Sequence, residues 1–191
     1  DVARVTAAYD LPQNTPVFLF VGRLVKYKGL PLILDALAKL SADGIDFRMV
    51  FVGSGPDEAE MKEKAARLLK PEQYIFTGPI YDRDELRAWN TRADLFLFPS
   101  TYDTNGIVVR EAVACSLASM LIKGSCAAEG ITDGENGILI EENPQSMAEA
   151  LREICKDRNK ARALGDNAMK TLYVSWEQSI DNAYNRYCEI L

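Results

Sequence analysis

Two acids, Asp103 and Glu111, stand eight positions apart in "STYDTNGIVVREA", residues 100–112. Between them a Thr-Asn-Gly step leads into Ile107, Val108 and Val109. An Asp ahead of a helix has an ordinary use, because its side chain accepts hydrogen bonds from the first free N–H groups. Glu111 is less easily explained. With a helix beginning near Gly106, Ile107 and Val108 lie four and three positions before Glu111, and Ala114 and Cys115 three and four after it. Residues at those spacings share a helix face. The pattern predicts a carboxylate bordered by apolar side chains, and a buried charge without a partner is costly. Two solutions fit: an internal Arg or Lys, or a ligand with paired hydroxyls such as a ribose.

Three other clusters have chemical potential. In "GRLVKYKG", residues 22–29, Arg23, Lys26 and Lys28 crowd the approach to a helix N-terminus. That end carries a partial positive charge, so an anion such as phosphate would relieve the crowding. A solvated basic loop fits the same residues. In "VGSGPD", residues 52–57, Gly53 and Gly55 permit close backbone approach, as a plain tight turn would also require. The stretch is not a dinucleotide-binding glycine fingerprint, and the lysine of a phosphate-binding P-loop is missing. "TGPIYD", residues 77–82, offers exposed backbone on which a planar base could rest, or a structural turn.

Positioning these clusters requires a particular scaffold. "PVFLFVG" (16–22), "FRMVFVG" (47–53), "YIFTG" (74–78), "DLFLFPS" (94–100), "SMLIKG" (119–124) and "GILI" (137–140) are apolar runs with little alternation. Such runs are strands covered on both faces, the mark of a parallel sheet. Segments with helical spacing separate the first four runs, at 31–44, 57–70 and 82–92, and a helix from about Gly106 to Leu117 follows. Met147, Ala150, Leu151 and Ile154 mark another helix, and Trp176, Ile180, Ala183, Tyr184 and Tyr187 a last one. The alternation predicts an α/β fold: a doubly wound, Rossmann-like parallel sheet with helices on both faces. Ligands of such sheets bind at the carboxyl ends of the strands, where the four clusters fall.

Composition narrows the function. The 191 residues suffice for one domain with a substantial core. A net charge of −6 argues against a nucleic-acid partner. There is no histidine, hence neither the commonest general base nor an imidazole metal ligand. The cysteines, Cys115, Cys126, Cys155 and Cys188, show no CxxC spacing and read as reduced thiols of a cytoplasmic protein. No apolar stretch is long enough to span a membrane.

The ordered set of segments resembles one family. "FVGRLVKYKGLPLILDALAKL", "FVGSGPDEAEMKEKA", "YIFTGPIYDRDELRAWNTRADLFLFPS" and "NGILIEENPQSMAEAL" are similar, in order, to the C-terminal domain of retaining glycosyltransferases of the GT-B fold, glycosyl transferase group 1. The similarity covers roughly residues 15–155. The family carries two glutamates separated by seven residues, with an aromatic-glycine step after the first. Here Asp103 holds the first position, Glu111 the second, and Asn105 replaces the aromatic residue.

The resemblance implies a donor-binding domain that transfers a hexosyl group from a nucleotide sugar, a UDP-hexose, to a saccharide or glycolipid acceptor, without metal or other cofactor. By that resemblance Arg23 and Lys28 contact the donor diphosphate from the turn at Gly22. Ile80 backbone receives the base, with Gly53 and Gly55 nearby. Glu111 holds the ribose, and Asp103 faces the hexose. Backbone N–H groups of Asn105, Gly106 and Ile107 approach the phosphates or sugar. It also implies an entry segment at 1–14, the nucleotide-sugar domain at 15–175, a C-terminal helix at 176–191, and an acceptor-binding N-terminal domain absent from this chain, which opens at Asp1. Peripheral contact of the full-length protein with the inner face of a membrane stays open. Two alternatives stand beside this reading: a nucleotide-sugar epimerase of similar architecture, whose acid-base residues are not evident here, and a non-catalytic nucleotide-binding or assembly module, if Asp103 and Asn105 mark a decayed site.

Overall fold

The apolar runs form one six-stranded sheet. The computed structural model describes residues 1–104 and 106–190. The strands are β1 (Val17–Val21), β2 (Arg48–Val52), β3 (Tyr74–Gly78), β4 (Leu95–Phe98), β5 (Ser119–Ile122) and β6 (Ile138–Ile140). Their order is β3-β2-β1-β4-β5-β6, and every pairing is parallel. β1 and β4 are buried along nearly their whole length, as strands with helices on both faces must be. The order of connection reverses between β1 and β4. The crevice at their carboxyl ends is therefore the switch point where open sheets of this kind accept ligands.

Helices cover both faces. These are α1 (Val2–Ala8), α2 (Leu30–Ala42), α3 (Glu58–Leu68), α4 (Arg83–Arg92), α5 (Ile107–Ala114), α6 (Pro144–Lys156), α7 (Arg158–Leu172) and α8 (Trp176–Ile190). α2 packs between α3 and α6, whereas α1 packs on α4 and α5 on α7. Their inner faces follow the helical repeat: Ile33, Leu34, Leu37 and Leu40 from α2, and Met147, Leu151 and Ile154 from α6, are all buried. Stacked rings fill the layer above the sheet, with Phe20 to Phe98 at 6.1 Å and Phe51 to Phe76 at 4.7 Å.

The opposite end of the β1–β4 crevice is clamped electrostatically. Asp94 accepts the Val17 N–H at 2.8 Å and an Arg158 guanidinium N–H at 2.7 Å. Only 9% of its side chain is exposed, and Arg92 lies on its other side. Burial and the neighbouring Arg158 charge lower the pKa of Arg92, against the pull of Asp94. One carboxylate thus ties the starts of β1 and β4 to α7.

The segment before residue 15 adds to the core, because Val5 and Leu11 are buried and Tyr9 packs on Trp89 at 5.1 Å. Two expectations need correction. α5 stops at Ala114, short of Leu117. Ser116 there takes φ +54°, and its carbonyl oxygen would lie 2.0 Å from a Cβ added at Gly165, so α7 is pressed against the turn. The chain after residue 140 holds three helices, the third of which, α8, buries no residue; Trp176, Ile180, Tyr184, Tyr187 and Ile190 lie exposed along it. Among the described residues no helix is long and apolar enough to cross a membrane.

Removing the buried clamp should cost far more than removing a surface pair. Asp94→Asn is expected to lower unfolding free energy by about 3 kcal/mol, because it leaves the Arg92 and Arg158 guanidinium groups without their carboxylate in a largely buried cluster. Arg152→Gln, which breaks a half-exposed pair with Asp43, should cost under about 1 kcal/mol. Urea denaturation of the two variants checks the difference.

Candidate active site

The site is built by loops that meet above the switch point. After β1, Gly22 at φ +154° turns the chain, and Leu24 and Val25 are buried beneath it. A single 3-10 turn, Lys26–Lys28, leads to Gly29 at φ +80° and so into α2. A Cβ at Gly29 would lie 2.4 Å from the Pro99 carbonyl oxygen. The loop after β1 therefore rests directly on the end of β4, and only glycine permits it.

That contact brings two candidate residues together. Lys28 Nζ donates to Asp103 Oδ1 at 2.7 Å, and the Ser100 hydroxyl donates to Asp103 Oδ2 at 2.5 Å. The Lys28 ammonium lies 5.2 Å from the centre of the Phe98 ring, and its side chain is 14% exposed. Arg23 stands exposed nearby in sequence, with no ion pair or side-chain hydrogen bond among the described residues. Lys26 does not join the cluster. Its N–H donates to Asp57 at 2.8 Å and its ammonium pairs with Glu60. That partner, and the nearby Asp57 charge, raise its pKa. Of the three cations expected to gather there, Lys26 is thus engaged elsewhere.

Gly53 and Gly55 are explained by the protein itself. A Cβ at Gly53, where φ is +136°, would meet the Gly22 carbonyl oxygen at 1.9 Å, and one at Gly55 would meet that of Leu24 at 2.3 Å. The freedom expected to admit a ligand is used for loop-on-loop contact. Gly106 is likewise buried, 2.9 Å from Val109 Cγ2 for an added Cβ, as it starts α5. Ile107 beside it is 70% exposed. Asn105 lies outside the described residues.

Glu111 departs from expectation in burial but not in place. The buried stripe of α5 is Val109, Ala112 and Val113, so Ile107, Glu111 and Ala114 share the solvent face. Apolar neighbours at helical spacing did not bury the carboxylate, because Ile107 and Ala114 are themselves exposed and Val108 and Cys115 only half-buried. The argument from an unpaired buried charge therefore lapses. What remains is geometry. Glu111 and Ile80 line one cavity of about 420 Å³ between α4 and α5, together with Tyr81, Leu86, Asn90 and Cys115. Tyr81 is almost fully exposed beside it. Asp82 caps α4 by accepting the N–H groups of Asp84 and Glu85, which turns the chain just after Ile80.

Several residues escaped the sequence reading. Ser100 and Phe98 confine Asp103 and Lys28, and neither carries a motif that announces it. Tyr27 and Tyr102 flank these two charges and meet at 5.5 Å, both exposed. Asn90 lines the same cavity, its Oδ1 buried with no hydrogen-bond partner among the described residues. Among the described residues no cluster of three acidic or thiol groups has the arrangement of a metal site. All four cysteines are free thiols.

A six-stranded parallel sheet in the order β3-β2-β1-β4-β5-β6, with helices on both faces, defines a doubly wound, Rossmann-like domain. Comparison with known proteins narrows this to a family. The profile of the family described as "Glycosyl transferases group 1" matches residues 3–171, and the chain belongs to that family. It is 32% identical over 152 residues to a GDP-mannose-dependent alpha-(1-6)-phosphatidylinositol dimannoside mannosyltransferase of Mycobacterium tuberculosis, covering 80% of this chain and 38% of that protein. It is 33% identical over 133 residues to a 2-deoxystreptamine glucosyltransferase of Streptomyces kanamyceticus, covering 68% and 34%. The chain thus spans well under half the length of these relatives.

Solved structures share the fold. The C-terminal domain of a glycosyl transferase group 1 family protein (LpcC) of Francisella tularensis superposes with a TM-score of 0.77 at 24% identity, covering 90% of this chain and 91% of that one. Anabaena HepE in complex with UDP and glucose gives a TM-score of 0.82 at 21% identity, covering 100% of this chain and 52% of the other. The sheet is the Rossmann-like half of a GT-B architecture.

Two measurements probe this geometry. Gly53→Ala should destabilise the chain by roughly 2–3 kcal/mol through backbone collision, whereas Gly44→Ala, with φ +74° but nothing within 4 Å, should cost about 1 kcal/mol. Thiol alkylation at pH 8 should label exposed Cys126 and Cys188 quickly. Cys155 should resist, because burial first, and the Asp94 charge second, push its pKa up to about 11. Its rate should climb as pH rises toward that value, because the thiolate is the reactive form.

Proposed function

We propose that this chain is the donor-binding part of a nucleotide-sugar-dependent hexosyltransferase that acts with retention at the anomeric carbon. The donor is a nucleoside-diphosphate hexose, a UDP-hexose in the first instance. One observation carries the reading: the cations at the β1–β4 switch point and the Glu111–Ile80 cavity belong to the same carboxyl edge of the sheet. Asp103 sits in the loop that runs directly into α5, so the Lys28 contact and Glu111 are joined by a few residues.

The parts suit a nucleoside diphosphate. The base enters between α4 and α5 beside Ile80, and Glu111 accepts hydrogen bonds from ribose hydroxyls. The diphosphate extends toward Lys28 and Arg23. When the bond from the anomeric carbon to the phosphate oxygen breaks, negative charge grows on that oxygen. A guanidinium and an ammonium fixed beforehand favour that change without reorganising. This assignment of roles places no demand on a metal ion. The similarity to relatives named for sugar transfer to a phosphatidylinositol mannoside and to 2-deoxystreptamine supports a saccharide or lipid acceptor. Acceptor contacts belong to a further, N-terminal domain, so the chain alone binds donor and turns over poorly.

Calorimetry or NMR titration with UDP and with GDP tests the proposal. The chain should bind one of them with a dissociation constant below a millimolar. Arg23→Met, Lys28→Met and Glu111→Gln should each weaken that binding by about tenfold or more, the usual worth of a hydrogen bond to a charged group. Absence of binding at millimolar nucleotide, or full affinity in all three variants, would contradict it.

A further inference from the structure

The resemblance gives Asp103 to the donor hexose, but the geometry gives it a different partner. Both carboxylate oxygens are occupied. Oδ1 accepts from Lys28 Nζ at 2.7 Å and Oδ2 from the Ser100 hydroxyl at 2.5 Å. Ser100 is wholly buried, so it is a fixed anchor. Lys28 is confined as well. Its Cδ lies 3.8 Å from the position a Cβ would take at Gly22, and its ammonium sits over Phe98. The result is a chain of contacts from the β4 end through Ser100 and Asp103 to the ammonium. Asp, one methylene shorter than Glu, is held back along that chain.

Resting on the nucleotide-sugar reading above, we infer that Asp103, through its pairing with Lys28, acts on the diphosphate rather than on the hexose, and that its charge weakens the hold on the nucleoside diphosphate product. In the empty site the carboxylate and ammonium form a neutral pair. An arriving diphosphate meets an ammonium already oriented, yet beside a negative charge that repels phosphate oxygens. The repulsion grows with ligand charge. A nucleoside diphosphate with a free terminal phosphate carries more negative charge than the same diphosphate esterified to a hexose. The Lys28–Asp103 pair therefore opposes the product more than the donor. The exposed rings of Tyr27 and Tyr102, each adjacent in sequence to one member of the pair, meet at 5.5 Å.

Asp103→Asn separates this role from hexose recognition. Titrations of wild type and variant with uridine, UDP and UDP-glucose, and with the guanosine series in parallel, read the three parts of the ligand separately. Uridine affinity should not change, which also shows that the variant is folded. UDP should bind about three- to tenfold more tightly, the worth of one nearby charge at a partly exposed site. UDP-glucose should tighten by a smaller factor, because it carries less negative charge. Asp103→Glu, which keeps the charge, should stay near wild type for UDP. In a Lys28→Met background the gain from Asp103→Asn should shrink. The inference is overturned if Asp103→Asn weakens UDP-glucose while UDP stays unchanged, the signature of a hexose contact, or if all three ligands bind as before. Wild-type chain that binds none of the nucleosides or nucleotides at millimolar concentration defeats the nucleotide reading itself, a distinct result.

Discussion

The close approach of the β1 loop to the end of β4 is the constraint on which the site depends. Gly29 has its α-carbon against the Pro99 carbonyl oxygen, where any side chain would collide. Gly53 and Gly55 press the β2 loop onto the β1 loop in the same way. These contacts leave the loop after β1 little freedom of position. Lys28 is consequently delivered to the switch point over Phe98, within reach of an acid from the β4 loop. At the other end of the same two strands, Asp94 joins β1, β4 and α7 through buried hydrogen bonds. The crevice is thus held at both ends, by backbone packing above and by an ion cluster below.

The electrostatics of the two ends differ in kind. Asp94 is closed off and fully engaged, so it serves the fold. Lys28 and Asp103 are paired but partly open, and Arg23, exposed in the same loop as Lys28, has no ion pair among the described residues. Charge that is ordered, accessible and incompletely compensated is what an anion requires. The cavity between α4 and α5 lies on the same carboxyl side, with Glu111 and Ile80 among its lining residues; the proposed function assigns it the base and the ribose. Family membership gives the glycosyltransferase class; the residue roles are those proposed above.

Much of the architecture was legible in the residues. Unbroken apolar runs announced the parallel strands, and the proline and glycine punctuation gave helix limits to within a few positions. The candidate residues Arg23, Lys28, Ile80, Asp103 and Glu111 do share the carboxyl edge, because strand-to-loop order alone dictates that in a doubly wound sheet. Partnership was not legible. Nothing in "GRLVKYKG" says that Lys26 turns to Glu60 while Lys28 turns to Asp103. Nothing in "VGSGPD" says that the glycines face another loop rather than a ligand. The burial of Glu111 was misjudged because helical spacing identifies neighbours but not which side faces the core. The early halt of α5 at Ala114 depends on α7 packing against Ser116, a contact across some fifty residues that local sequence does not record.

The central claim is that one ligand spans the β1 loop and α5. Backbone amide shifts of isotopically labelled chain, followed as UDP or GDP is added, test it most directly. The account predicts coupled perturbation, on a single binding curve, of residues 22–29, of Ile80 and Tyr81, and of residues 106–111, with the α6 and α7 amides unmoved. Perturbation of the β1 loop without α5, of α5 without the β1 loop, or of the two groups with different affinities would contradict it.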